Sequence, residues 1–340
     1  MLLLLDIGNT HTHLGLARAD RVFRQTNIKT ADWFTGDAPV AVTKFIGRAN
    51  LIGVALCSVV PKATPLAQTF IGKISGAAAL ELTPATITGV GIDYPKPATI
   101  GPDRLANAVA AHHHFGAPAV VVDFGTAVTF DVVDRRANYV GGIIAPGLAA
   151  MTDYLHEKTA LLPRIRIRDT RAVIGKNTEQ AMLIGAVHGY RGLVRELIAA
   201  LKRELQTDTL PVIATGGYAH LLAAQMPEIT AVRPLLTLEG LRLVWLGNRA
   251  KAQSSKPKAQ GKGGESSKLK AQSSREGGRK LKAQSPKLNG RSKLLDPGGI
   301  REISGGEALR NHRKLMSQKE IAPRRRRQQV GNFPNDSPHL

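Results

Sequence analysis

The chain has 340 residues, 43% of them hydrophobic, a single cysteine and a formal net charge of +21. That length accommodates two ordinary domains with real cores, and one cysteine excludes an internal disulfide framework and fits a reducing compartment. The charge is lopsided, because residues 251–340 hold 22 Lys and Arg against 7 Asp and Glu, a net of +15 that leaves +6 for the rest.

The first apolar run, Leu2 to Leu5, reads as a strand that turns at Asp6-Ile7-Gly8-Asn9-Thr10 and returns as a second strand, Leu14 to Ala17. A glycine there lets backbone N–H groups approach an anion, and Asn and Thr side chains add hydrogen bonds. A carboxylate cannot bind phosphate directly, so Asp6 beside a polyphosphate implies a cation or an ordered water between them. The same residues are also good β-turn chemistry. The run is broken at Asp6 and lacks a basic leader, so it does not read as a signal peptide. No apolar stretch approaches the roughly 20 residues needed to span a bilayer, and a cytoplasmic location is expected.

A strand follows at Leu51 to Cys57, in which Cys57 reads as a small buried side chain. Next comes Gly101-Pro102-Asp103-Arg104 at the head of a helix over 103–115. Asp103 falls in the first helical turn, where the dipole favours a carboxylate and an acidic cap is the ordinary explanation. His112, His113 and His114 fan around that helix rather than converge, so they read as a solvated helix end. A break is expected near Gly116-Ala117-Pro118.

Beyond it the opening pattern repeats. The strand Ala119 to Val122 turns at Asp123-Phe124-Gly125-Thr126-Ala127-Val128-Thr129, and Val128 to Val133 returns. A strand at Tyr139 to Ile144 contains Gly141-Gly142 and opens through Pro146-Gly147 into a helix over 147–158. A helix over 178–204 is preceded by Asn177 and carries Gln180, the spacing of a capping box. A strand at Val212 to Thr215 then leads through Gly216-Gly217 into a helix over 217–225. Strand-turn-strand units followed by helices predict an α/β fold in two similar halves, 1–116 and 117–250, with the glycine-rich turns lining a crevice at strand ends.

Residues 251–340 are rich in Lys, Ser, Gly, Gln and Arg, with Leu-Lys-Ala-Gln-Ser at 269–273 and again at 281–285. They bury too little apolar surface to offset ordering entropy, so a disordered basic tail is expected. It could bind nucleic acid by charge, but no aromatics interleave for base stacking and a solvated extension is the favoured reading.

Taken together and in order, the turns at Asp6 and Asp123, the Gly101-Pro102-Asp103-Arg104 loop and Gly141-Gly142-x-Ile144-x-Pro146-Gly147 resemble type III pantothenate kinase. So do Cys57-Ser58-Val59-Val60-Pro61 and Leu236-Thr237-Leu238-Glu239-Gly240-Leu241; the resemblance runs from residue 1 to about 248. It implies two duplicated ribonuclease H-like domains of the actin-like ATPase class with a cleft between them, a homodimer, and ATP-dependent phosphorylation of pantothenate towards coenzyme A. By resemblance, Asp6, Ile7, Gly8, Asn9, Thr10, His11, Thr12 and His13 bind ATP together with Thr126, Asp103 accepts the proton, and Asp123 binds a monovalent cation, K⁺ or NH₄⁺, in an enzyme that also uses Mg²⁺. Tyr94, Gly101, Pro102, Asp103, Arg104 and Thr178 would contact pantothenate, with the partner subunit completing that pocket. One departure is the His11-Thr12-His13 run, which puts no lysine after the first turn; the two histidines share a strand face and read as partly exposed. The rival expectations are a transcriptional accessory factor of the same fold and a kinase for another small hydroxylated substrate.

Overall fold

A computed structural model describes residues 1–76 and 78–254. The elements in chain order are β1 (Leu2–Ile7), β2 (His11–Ala17), β3 (Val22–Lys29), α1 (Asp32–Thr35), α2 (Ala38–Ile46), β4 (Gly53–Ser58), α3 (Thr64–Ser75), β5 (Leu80–Glu81) and β6 (Gly91–Ile92). A 3₁₀ turn (Pro97–Thr99) then precedes α4 (Pro102–Phe115), β7 (Ala119–Phe124), β8 (Ala127–Val133), β9 (Asn138–Pro146), α5 (Leu148–Lys158) and α6 (Thr178–Glu204). The last elements are β10 (Val212–Thr215), α7 (Ala219–Ala223), β11 (Ala231–Val232) and α8 (Leu236–Ser254).

Two sheets carry one topology. The first runs β3-β2-β1-β4-β5, and the second runs β9-β8-β7-β10-β11 with β6 added beside β9. In both, the first two pairings are antiparallel and the last two parallel. The duplication expected from the two similar turns is therefore present strand for strand, in a mixed α/β fold. Two details cross between the halves. Strand β6, from the first half of the sequence, pairs with β9, and α8, from the end, packs against β1 and β4.

The central strands are buried on both faces, which is why they read as unbroken apolar runs rather than alternating ones. On β1, Leu2 and Leu4 join a core with α4 and α8, whereas Leu3, Leu5 and Ile7 join another with α2 and α3. On β7, Val120, Val122 and Phe124 pack towards α6 and α7, while Ala119 and Val121 meet α4. Helix α4 is thus shared by both sheets, and four of its seven buried residues are alanine, which permits close approach. At the α4–α8 crossing, a Cβ on Gly240 would overlap the Ala106 backbone.

The expected helix at 178–204 is α6, and its cap is real: Asn177 Oδ1 accepts from Gln180 N at 2.9 Å. The return bond from Gln180 Oε1 reaches Lys176 N rather than Asn177 N, so the box is displaced by one residue. The helix expected at 217–225 is shorter, confined to Ala219–Ala223. Three helices in the first half, β3, the short strands and α8 had no counterpart in the sequence reading. Strand β3 is mostly exposed along its length and so shows no apolar alternation, and α2 and α3 each bury only two or three side chains. Residues 251–254, expected in the disordered tail, are instead the last turn of α8; from residue 255 that expectation lies outside the described residues. Among the described residues no helix is long and apolar enough to cross a membrane.

Candidate active site

Both Asp turns end a strand beside its parallel neighbour, and the two strands deliver them to the same place. Thr10 Oγ1 and Thr126 Oγ1, one from each turn, lie 3.2 Å apart. Both residues are exposed. Gly147, the cap of α5, sits on the second turn: its N–H donates to Thr126 O at 3.2 Å, and a side chain there would collide with the Gly125 and Thr126 carbonyls. That close approach accounts for the glycine after Pro146.

The first turn is held from behind. Trp33 Nε1 donates to Thr12 Oγ1 at 3.1 Å, Thr12 and Thr30 hydroxyls are 3.2 Å apart, and Thr30 Oγ1 donates to the Gly8 carbonyl at 2.6 Å. Thr12 and Thr30 are fully buried. Ile7 is also buried, so of the 6–13 run it is Asn9, Thr10 and His11 that stand open, while the side chains of Ile7 and Thr12 build the support. His13 lies across from Asp6 in the β1–β2 register, and its Nδ1 is 2.8 Å from Asn27 Oδ1.

Asp6 and Asp123 are carboxylates packed at strand ends with few donors. Burial pushes Asp6 up to about 7, opposed by His13 and reinforced by Asp103. Cys57, buried next to it on β4, points its thiol at Asp6 Oδ1 at 3.4 Å. Burial likewise pushes Asp123 up to about 6, relieved by the Asn107 amide, whose Nδ2 is 3.3 Å from Asp123 Oδ2. On the other side Gly216, at a φ of +88°, comes so close that a Cβ would sit 2.5 Å from Asp123 Oδ1.

The third set comes from α4. Gly101 caps the helix and Asp103 occupies its first turn, with Oδ1 accepting from Arg104 N at 2.9 Å. The cap position is therefore Gly101's, with no side-chain cap bond, and Asp103 satisfies its neighbour's N–H within the first turn instead of capping the helix. Asp103 is largely buried, burial raises its pKa against the pull of that N–H, and its charge is felt at Asp6, Asp123 and Asp131. Arg104 leaves the surface: its Nη2 donates to Phe130 O at 2.9 Å, its Nε binds Asp131 Oδ1, and its guanidinium lies 5.8 Å from the Tyr139 ring centre. Tyr94 meets Tyr139 edge-on at 6.2 Å and remains 37% exposed, so it can present a face to a ligand. Gly141 takes a φ of +130°, which favours glycine, and a Cβ at Gly142 would overlap the Phe130 carbonyl and crowd Arg104 Nη2 at 2.6 Å. The second glycine of β9 thus makes room for the Phe130 carbonyl and the Arg104 guanidinium bound to it.

The structure accordingly gathers Asp6, Thr10, Asp103, Arg104, Asp123 and Thr126, places Tyr94 beside the Arg104 side, and leaves Thr178 exposed at the first position of α6. The sequence reading missed Asn107 and Asp131. The signal for Asp131 was a lone carboxylate inside the apolar run Val128 to Val133, and for Asn107 an amide within the alanine-rich face of α4.

The family model for type III pantothenate kinase matches residues 2–200. The chain belongs to that family. A type III pantothenate kinase of Methylacidiphilum infernorum is 42% identical over 245 residues, 72% of this chain and 87% of that protein. One from Akkermansia muciniphila is 43% identical over 241 residues, 71% of this chain and 96% of that protein. The solved structure of MreB 5 of Spiroplasma citri bound to AMPPNP aligns with 74% of this chain and 98% of its own, at 11% identity and a TM-score of 0.42. As a type III pantothenate kinase, the protein is a phosphotransferase that acts on pantothenate with ATP on the route to coenzyme A. Residues 2–200 contain every motif from which the site is built except Gly216, in the β10–α7 turn.

Proposed function

We propose that the two Asp turns hold the ATP phosphates between them while Asp103 presents the acceptor hydroxyl of pantothenate. The observation that supports this reading is the 3.2 Å approach of Thr10 to Thr126, which brings one hydroxyl from each duplicated turn to a single point. Asp103 orients the hydroxyl and takes its proton late, because phosphoryl transfer through a loose transition state needs little proton transfer at the outset. A carboxylate whose pKa burial has raised is a better acceptor than an exposed one, so the packing that costs Asp103 its solvation helps its chemistry. Arg104 and Tyr94 face the acceptor, and Thr178 closes it from the head of α6.

Asp123 fits a K⁺ or NH₄⁺ ion, since it is a packed carboxylate whose described partner is an amide rather than a cation. Asp6, whose only hydrogen bond among the described residues comes from the weak Cys57 thiol donor, suits a Mg²⁺ ion or its water shell beside the phosphates. When bound, the two ions neutralise charge on the transferring phosphoryl group. The enzyme is a cytoplasmic homodimer of subunits built from halves 1–116 and 117–250. Large apolar side chains stand exposed on and after α5, with Tyr154 61%, Val173 75% and Ile174 70% accessible, a surface that a second subunit would cover.

An ATP-consumption assay with the purified full chain, offering pantothenate and a panel of sugars in K⁺ and then in Na⁺, tests the reading. Pantothenate-dependent turnover that requires K⁺ is expected. Turnover of a sugar in its place would overturn the acceptor assignment, and equal rates in Na⁺ would overturn the cation assignment.

A further inference from the structure

Asp131 is fully buried in the middle of β8, yet it is a carboxylate with no access to water. Both of its oxygens are used. Oδ1 accepts from Arg104 Nε, and Oδ2 is 3.5 Å from Asn107 Nδ2, the amide that also lies 3.3 Å from Asp123 Oδ2. Thr237 Oγ1 donates to Asn107 Oδ1 at 2.9 Å and so fixes which end of the amide faces the two carboxylates. Burial works against the Arg104 charge, but Asp131 outweighs it and holds the guanidinium firmly protonated. The fork is held on two sides, by Asp131 at Nε and by the Phe130 carbonyl at Nη2, and this leaves Nη1 for an incoming group.

We propose that Asp131 is a positioning residue that aims Arg104 at the carboxylate of pantothenate and, through Asn107, ties the acceptor pocket to Asp123. The proposal rests on the acceptor assignment made above. A buried carboxylate with no such task would be costly to keep, since an apolar residue could fill the same place in the strand. Arginine presents its donors in a rigid fork, so holding Nε and Nη2 sets the direction of Nη1. Substrate affinity, not phosphate handling, is then what Asp131 controls.

The test is Asp131→Asn in the full chain, with steady-state constants and melting temperature measured beside wild type. KM for pantothenate is expected to rise at least about tenfold, as for a weakened charge-assisted contact, with KM for ATP within about twofold. The K⁺ concentration for half-activation should shift as well. Pantothenol, which carries an alcohol in place of the carboxylate, should inhibit wild type and variant with nearly equal constants. A folded variant with wild-type KM for pantothenate, or with both KM values raised in proportion, would overturn the proposal. Should Asp131→Asn not fold, Arg104→Lys decides: a lysine keeps the charge but cannot span Asp131 and the Phe130 carbonyl, so the same pantothenate-selective rise is expected and its absence overturns the idea. Wild type that does not turn over pantothenate would instead mark the failure of the acceptor assignment.

Discussion

The hydroxyls of Thr10 and Thr126 meet at 3.2 Å although 116 residues separate them in the chain. Thr126 directly follows Gly125, whereas Thr10 stands two residues after Gly8, so the contact joins the two Asp turns one position out of step. If both hydroxyls serve the nucleotide, removing one should weaken ATP and spare the acceptor. Thr126→Val is expected to raise KM for ATP about tenfold, in line with loss of a hydrogen bond to a charged group, with KM for pantothenate near wild type. Equal KM values for ATP in variant and wild type would count against the assignment.

Asp103→Asn is nearly isosteric and removes a carboxylate whose charge burial already disfavours. Turnover should fall at least about 100-fold, the scale of a lost proton acceptor, while the melting temperature stays within a few degrees of wild type. Near-normal turnover in the folded variant would remove Asp103 from the chemistry.

The pH dependence follows from Asp6 and Asp123, whose pKa values rise on folding from 3.8 to about 7 and about 6. A raised pKa means that the folded chain binds these protons more tightly than the unfolded one. Their contribution to stability is therefore complete below the unfolded value and is lost as pH rises through the folded values. Without ligands, the melting temperature should increase as pH is lowered from 8 to 6. Cations that bind the ionised forms should reverse the trend, so K⁺ with Mg²⁺ and ATP should raise the melting temperature more at pH 8 than at pH 6, and half-activation by K⁺ should need more salt as pH falls through about 6. A K⁺ requirement that does not change with pH would argue against Asp123 as its ligand.

The α4–α8 crossing depends on Gly240, where a Cβ would run into the Ala106 backbone. Because the obstacle is main chain and not a movable side chain, Gly240→Ala should destabilise by about 3 kcal/mol. For a domain of this size that corresponds to a melting temperature lower by roughly 6–12 °C by calorimetry or dichroism. At Gly185, on α6, an added Cβ would meet no atom within 4 Å, so Gly185→Ala serves as the control and should be neutral or mildly stabilising.

Subunit association can be read from Tyr154→Glu, which puts a charge on the exposed apolar face of α5. Light scattering should show the wild-type chain at twice the mass of the variant. Pantothenate turnover should fall with it, since the partner is expected to complete the acceptor pocket.

The two Asp turns, the strands that carry them and the loop at Gly101 to Arg104 were legible in the sequence because each depends on a few consecutive residues. An apolar run makes a doubly buried strand, a glycine makes a tight turn, and a proline after glycine starts a helix, all without reference to distant partners. What only the tertiary structure decided was pairing across long separations. The inward turn of Thr12 towards Trp33, the addition of β6 to the second sheet, the seat of α8 against β1 and the Arg104–Asp131–Asn107–Asp123 chain all join residues far apart in sequence. A buried polar group is stable only where the fold supplies its partner, and no local pattern records where that partner will be.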